Sequence, residues 1–144
     1  TGVLPSAEII QAVADVLRLD PFGNDAVLME ITGEELRQML IACFDNDQNL
    51  FPYVSGIQCE VVLDAKTPAQ LKKLTLKTLD GQKFDLKKTY KVVTNSYVAS
   101  ISDSPRKDQG HSINRKTADL IISYLEKLPE VSYQGVKRIH QLEK

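Results

Sequence analysis

Residues 26–44 read AVLMEITGEELRQMLIACF and contain a strand followed directly by a helix. In residues 26–31, Val27, Met29 and Ile31 alternate with Leu28 and Glu30, which predicts a strand buried on one face and partly buried on the other. Thr32 and Glu35 match a capping box, in which each side chain satisfies a free backbone donor at the start of a helix. Apolar residues then recur every three or four positions, and they predict one buried stripe formed by Leu36, Met39, Leu40, Cys43 and Phe44.

The segments on either side of this stretch alternate irregularly between helix and strand patterns. The predicted elements are a capped helix from Ser6 to Asp20, strands at 57–64, 74–77 and 90–95 with an Asp80-Gly81 turn, a long polar loop over Ser100–Arg115, a helix over Thr117–Leu128 and an edge strand over Val136–Ile139. This order favours an α+β domain with a mixed or antiparallel sheet over a doubly wound parallel one.

Length, composition and charge limit the kind of protein that this chain forms. Its 144 residues are 42% apolar, which predicts a single domain over residues 1–144. The formal net charge of −1 provides no field that would attract a polyanion, so nucleic acid is not predicted as a partner. No apolar run approaches the roughly 18 residues that a membrane-spanning helix requires, so no membrane span is predicted.

The residue types that usually carry catalysis or bind metals are sparse. Cys43 and Cys59 lack the spacing of a zinc or redox motif and are predicted to be buried thiols, with a disulfide between them as the alternative. His111 and His140 lie far apart, without acidic neighbours at ligand spacing, and are predicted to lie on the surface. We therefore predict no catalytic residue and no metal site in this chain, which alone is expected to be inactive.

Two aromatic residues stand in polar, turn-rich segments next to predicted strands. Phe51 precedes a strand in the segment 50–56, and Tyr97 follows a strand in the segment 95–100. Two facing rings with a carboxylate or an amide at the edge make an adequate pocket for a purine or a pyrimidine. The alternative is that both rings are core residues at the ends of strands.

Four segments of the chain, in order, resemble the C-terminal domain of the 5'-nucleotidase family. Asp15–Asn24 resembles the family segment ending in Pro-Phe-Gly-Asn, and Met29–Leu36 resembles its strand, Thr-Gly cap and helix. Phe51–Gly56 is similar to Phe-Leu-Gln-Val-Ser-Gly, and Lys88–Tyr97 is similar to Lys-Thr-Tyr-x-Val-x-x-Asn-x-aromatic. This family includes periplasmic UDP-sugar hydrolases and cell-surface ecto-5'-nucleotidases.

The resemblance implies a four-layer α/β/β/α domain with mixed sheets that recognises a nucleotide from which phosphate is removed. A base would lie between Phe51 and Tyr97, with Asp103 at the position of the family's base- or ribose-contacting aspartate. The predicted substrate-binding set is completed by the motif residues Ser55, Gly56 and Asn95. The resemblance also implies a separate N-terminal metallophosphoesterase domain holding a divalent metal pair, and a periplasmic or extracellular location.

The chain departs from the family pattern at two places. The family's Gly-Gly-Asp-Gly is here Ser100-Ile101-Ser102-Asp103-Ser104-Pro105, so the loop cannot use conformations that require glycine. The family's Asn-Gly-Gly-x-Arg segment would lie before Thr1, so the domain is expected to be truncated at its N-terminal side. The fragment alone is therefore expected to bind nucleotides poorly.

Four basic residues, Arg106, Lys107, Arg115 and Lys116, follow the altered segment. Such a run is typical of a solvated loop, and phosphate binding is the alternative. On this interpretation, Arg106→Ala is expected to leave nucleotide affinity unchanged.

Two other functions remain compatible with these motifs. The chain could belong to the 2',3'-cyclic-nucleotide phosphodiesterase/3'-nucleotidase branch, which also carries an aromatic residue after the Asn. It could alternatively be a stand-alone, non-catalytic module that binds nucleosides or a protein partner.

Overall fold

The computed structural model describes residues 3–5, 23–46, 52–66, 70–132, 135 and 137–142. In chain order the elements are β1 (Val3–Pro5), β2 (Asp25–Thr32), α1 (Gly33–Asn46), β3 (Gln58–Leu63), β4 (Leu71–Lys77), β5 (Thr89–Asn95), α2 (Ser96–Ile101), β6 (His111–Lys116), α3 (Thr117–Leu125), β7 (Glu130–Ser132) and β8 (Ile139–Gln141). The helix predicted from Ser6 to Asp20 lies outside the described residues.

The strands form two three-stranded sheets and one two-stranded ribbon. One sheet has the order β5-β2-β6 and is antiparallel throughout. The other has the order β4-β3-β8, in which β3 pairs antiparallel with β4 and parallel with β8. β1 pairs with β7 in the ribbon. The predicted α+β class, with mixed and antiparallel sheets, is confirmed.

One apolar core joins both sheets to α1. The buried face of β2 is the predicted one, and the predicted stripe of α1 is buried along its whole length. From the second sheet and the segment after it, the core receives Cys59, Val61, Leu74, Leu76 and Phe84. Cys43 and Cys59 are buried thiols and are not joined in a disulfide. Burial raises the pKa of the Cys59 thiol to about 11, so this residue serves as an apolar core side chain at neutral pH.

The start of α1 is fixed by the predicted capping box and by a close backbone approach. The Thr32 amide donates to the Glu35 carboxylate at 2.7 Å, and the Glu35 amide donates to the Thr32 hydroxyl at 3.2 Å. The Gly33 amide donates to the Lys88 carbonyl oxygen at 3.0 Å. A Cβ at Gly33 would lie only 2.5 Å from the Asp85 carbonyl oxygen, so glycine is required for this approach.

The predicted loop over Ser100–Arg115 is wrong at both ends. α2 extends to Ile101, and β6 begins at His111 and pairs with β2. The pattern of apolar residues could not reveal β6, because five of its six side chains are exposed and main-chain hydrogen bonds hold it at the edge of the sheet. The actual loop is confined to residues 102–110.

The two C-terminal predictions are correct in type and shifted in position. α3 ends at Leu125, three residues before the predicted end, and residues 126–128 continue as hydrogen-bonded turns. The tail strand is Ile139–Gln141, parallel to β3, where an edge strand over Val136–Ile139 was predicted. Val136 lies outside the described residues.

We expect Gly33→Ala to lower the free energy of unfolding by about 2 kcal/mol or more, because the new methyl group must displace backbone atoms. Gly81→Ala is the control, since Gly81 has a φ of +83° but no atom lies within 4 Å of its added Cβ. That change should cost about 1 kcal/mol from backbone strain alone. Urea denaturation measures both. If Gly33→Ala lowers the free energy of unfolding no more than Gly81→Ala does, the backbone at residues 85 and 86 shifts to accommodate the added methyl group.

Candidate functional site

Tyr97 lies in α2, at the edge where β5 ends and β2 begins. In the register of these strands, Asn95 lies opposite Ala26, so the chain leaves β5 beside the start of β2. Tyr97 is 48% exposed. Tyr97 is therefore a partly exposed residue at the surface and not a buried core aromatic.

The start of α2 is fixed by side chains on both sides of this edge. The Asn95 side-chain oxygen accepts the Val98 amide at 2.7 Å and caps the helix. The Ser96 hydroxyl accepts the Asp25 amide at 3.2 Å and donates to the Asn24 side-chain oxygen at 3.1 Å. The contacts of Asn95 therefore hold the helix in place, and they also explain why an Asn precedes the aromatic residue in the motif.

A cavity of about 480 Å³ lies next to this edge. Its walls include the segment 52–57, which contains the predicted residues Ser55 and Gly56, and its floor includes apolar side chains of α1. Thr94 and Val98, which flank Asn95 and Tyr97 along the chain, also line it. The structure thus brings the 52–57 segment and the β5–α2 junction to one cavity, which Asn95 and Tyr97 themselves do not line.

Phe51 lies outside the described residues, so its predicted role in stacking stays a prediction. The neighbouring Tyr53 is fully exposed and lines the cavity. Sequence reasoning placed Tyr53 in the aromatic segment without giving it a role. Phe84 and Tyr90 also line the cavity and stack on each other, with ring centroids 4.4 Å apart, so Tyr53 is distinguished from them by its complete exposure.

Asp103 is exposed in the loop that follows α2. Among the residues that the structure describes, none donates a hydrogen bond to its carboxylate, whereas the preceding residue, Ser102, is fully buried. The carboxylate oxygens of Asp103 can therefore accept hydrogen bonds from a ligand. Its predicted contact with a base or ribose stays a prediction.

Arg106 is half-buried and hydrogen-bonded to the protein, whereas the sequence-based interpretation placed it in a solvated loop. Its guanidinium donates to the Ser102 carbonyl oxygen at 2.7 Å, to the Ser102 hydroxyl at 3.0 Å and to the Ala99 carbonyl oxygen at 3.3 Å. The interpretation failed because these partners are mostly main-chain carbonyls, which leave no pattern in the sequence. Arg106 joins the loop to the C-terminal end of α2.

Two carboxylates fasten the same loop to the rest of the domain. The Lys107 amide donates to the Glu35 carboxylate at 3.0 Å, and the Glu30 amide donates to the Asp108 carboxylate at 2.7 Å. The pKa of Glu35 is lowered, first by the Thr32 amide and then by the Lys107 amide. The pKa of Asp108 is lowered first by the Glu30 amide. Both carboxylates are therefore ionised acceptors at neutral pH.

The other basic residues of the polar stretch bond to side chains of the protein. Lys116 donates to the Asp25 carboxylate at 2.6 Å, and Arg115 donates to the Ser123 hydroxyl at 3.3 Å. His111 is exposed and His140 is half-buried, in two different sheets. Within the described parts of the chain, no three His, Cys, Asp or Glu side chains are grouped to bind a metal ion.

Comparison with known proteins identifies the family. The model of the 5'-nucleotidase C-terminal domain matches residues 5–105. The chain belongs to this family. It is 28% identical over 96 residues to the trifunctional nucleotide phosphoesterase YfkN of Bacillus subtilis. The aligned region covers 63% of this chain and 7% of YfkN. None of α1, α2 and α3 has the length and apolarity that crossing a membrane requires.

Two solved structures support the same fold. The 5'-nucleotidase precursor of Thermus thermophilus matches 92% of this chain with a TM-score of 0.68 and 26% identity. The NAD nucleotidase NadN of Haemophilus influenzae matches 91% with a TM-score of 0.66, and at 23% identity this likeness concerns the fold alone. The chain spans 28% and 26% of these two proteins, so it corresponds to about a quarter of each.

We expect Glu35→Gln to lower the free energy of unfolding at pH 7 by about 1 kcal/mol, because an ionised acceptor of two amides is lost. Since the pKa of Glu35 is lowered by folding, its contribution is complete above the unfolded pKa and is lost as the pH falls through the folded pKa. Urea denaturation between pH 7 and pH 3 should therefore show a shallower acid dependence for the variant. Asp103→Asn, which removes an exposed carboxylate, should match the wild type, and an unchanged profile for Glu35→Gln would contradict the assignment.

Proposed function

We propose that this chain is the nucleotide-recognition domain of a 5'-nucleotidase-type hydrolase that removes phosphate from nucleotides. The observation that carries the proposal is the exposed ring of Tyr97 on a short helix that side chains hold at both ends. A half-exposed aromatic residue on a helix whose backbone is held at both ends can offer a stacking face to a base, and less backbone ordering is then required on binding. Membership of the family supplies the substrate class.

The proposed base site lies between the β5–α2 junction and the 52–57 segment. Tyr97 supplies one stacking face, and Phe51 supplies the other in this proposal. Pro52, which follows Phe51, lines the cavity of about 480 Å³ together with Val98, which follows Tyr97. A volume of this size is within the range of small-molecule sites. Asp103 is proposed to accept hydrogen bonds from the base or the ribose.

The metal chemistry is assigned in this proposal to a separate N-terminal metallophosphoesterase domain with a divalent metal pair. This assignment is supported by the share of the solved relatives that the chain spans, which is about a quarter. Metal ions there would polarise the phosphoryl group and activate water, while the present chain binds and orients the nucleoside part. A periplasmic or extracellular location is part of the same proposal.

A second candidate function is favoured by one of the relatives. YfkN, which is 28% identical to this chain over 96 residues, is a trifunctional nucleotide phosphoesterase. The candidate is a domain that also serves a 2',3'-cyclic-nucleotide phosphodiesterase or a 3'-nucleotidase. Assays with 5'-AMP, 3'-AMP and 2',3'-cyclic AMP separate the two functions, since only the second predicts turnover of the latter two.

In the whole protein that contains this chain, we expect Tyr97→Ala to raise KM for 5'-AMP about tenfold with little change in kcat, because a base-stacking face is lost. Tyr97→Phe should keep KM near the wild-type value, since the ring remains. Tyr124→Ala is the matched control, because Tyr124 is also an exposed tyrosine, on α3. Steady-state kinetics measure all three variants.

The same assay tests Phe51 independently. Phe51→Ala should raise KM to a similar extent, whereas Tyr53→Ala should leave it within about twofold. If Tyr53→Ala has the larger effect, the second ring is Tyr53. Unchanged kinetics for Tyr97→Ala would refute the proposed function.

We expect metal removal to separate chemistry from recognition. EDTA should abolish release of phosphate from 5'-AMP by the whole protein, while adenosine still binds, because the metal pair is proposed to act on the phosphoryl group. The isolated chain should release no phosphate with or without added Mn²⁺ or Zn²⁺. Phosphate release assays and calorimetry with adenosine measure the two properties. Turnover by the isolated chain would contradict the division of labour.

A further inference from the structure

The helix that carries Tyr97 depends on contacts from outside it. α2 has six residues, whereas isolated helices shorter than about 12 residues are marginal in water. At its C-terminal end, the Asn46 side chain of α1 donates to the Ile101 carbonyl oxygen at 2.7 Å. The Ser102 amide donates to the Val98 carbonyl oxygen at 3.1 Å. Arg106 binds two further carbonyl oxygens here, those of Ala99 and Ser102.

Arg106 reaches back over the last turn of α2 and bonds to it at several points. Nη1 donates to the carbonyl oxygen and the hydroxyl of Ser102, and Nη2 donates to the Ala99 carbonyl oxygen. Ser102 is fully buried and ends the helix at φ −85° and ψ 57°, outside the left-handed region that glycine favours. The conformation of this turn is therefore held by a side chain and does not require glycine.

The contacts of the guanidinium also show what Arg106 does not do. Nη1 and Nη2 bond to the protein, and Nε is buried without a hydrogen-bond partner in the described residues. A phosphate ligand would require these donors to face the cavity. Arg106 is therefore placed to shape the protein backbone and is not placed to bind phosphate.

We propose that Arg106 is a positioning residue for nucleotide recognition, an inference that rests on the proposed function. By fixing the carbonyls of Ala99 and Ser102, it sets the direction of α2, and hence of Tyr97, and it sets where the chain presents Asp103. A lysine could not replace it fully, because an ammonium is a point charge without the planar fork that bonds two carbonyls at once. This role reverses the expectation that Arg106→Ala leaves nucleotide affinity unchanged.

The test uses the whole protein, with 5'-AMP as substrate and adenosine as a ligand without phosphate. Arg106→Ala should raise KM for 5'-AMP about fivefold with kcat within about twofold, and should weaken adenosine binding by the same factor. The two factors should agree because no phosphate contact is removed. Lys107→Ala is the matched control, since only the backbone amide of Lys107 is used, and it should leave both quantities unchanged.

Two further variants distinguish positioning from a general loss of stability. Arg106→Lys should restore part of the affinity for both ligands, and it decides the question if Arg106→Ala does not fold. Adding Arg106→Ala to Tyr97→Ala should raise KM by less than the product of the two single effects, because part of the effect of Arg106 passes through that ring. A merely structural role would give additive effects.

The outcomes that overturn the inference differ from those that overturn the proposed function. If Arg106 variants weaken binding of 5'-AMP but not of adenosine, Arg106 binds phosphate directly and the inference is wrong. It is also wrong if Tyr97→Ala raises KM and the Arg106 variants do not. If Tyr97→Ala leaves KM unchanged, the proposed function fails, and the positioning role through Tyr97 fails with it.

Discussion

The register of β2 between β5 and β6 is the constraint on which the rest of the domain depends. β2 is paired along both edges, and side chains in a strand alternate between faces. A slip of one residue would expose Val27, Met29 and Ile31, which are all buried, so the register is strongly specified by the core. The same register sets Asn95 opposite Ala26 and thereby places Tyr97 beside the start of β2. The location of the proposed base site therefore follows from core packing.

The orientation of Tyr97 depends on a second level of contacts, which are polar. α2 is too short to be stable alone, and it is held by Asn95 at its start and by Asn46 and Arg106 at its end. Asn46 belongs to α1, whose first turn also binds the loop after α2 through Glu35. Helix α1 thus supports both α2, which carries Tyr97, and the loop that presents Asp103. A substitution at either end of α1 would therefore alter the geometry of the proposed site, although α1 residues at those ends need not contact the ligand.

Sequence patterns predicted the elements that bury an apolar face, because burial imposes a period. β2, α1 and β3 are of this kind, and β5 shows a weaker alternation between exposed and half-buried side chains. The capping box located the start of α1 to the residue. β6 escaped prediction because its exposed side chains have no apolar alternation, and an irregular register between Asp25 and Val27 interrupts its pairing. At the site, the sequence placed Tyr97 in a polar segment and the residue is 48% exposed, while its role in stacking stays a prediction. Arg106 was misinterpreted because it bonds to carbonyls four and seven residues back along the chain, which leave no pattern in the sequence.

The segment Ser100–Pro105 shows how a loop can keep a defined path without glycine. Arg106 binds the end of α2, and two ionised carboxylates, Glu35 and Asp108, accept backbone amides from the loop and from β2. Each of these bonds uses a charged partner, and a hydrogen bond to a charged group is generally stronger than one between neutral groups. Protonation would remove both carboxylate acceptors, but their pKa values are lowered by the same amides that they bind. The amides that order the loop therefore also keep both carboxylates ionised in mild acid, so the loop remains ordered there.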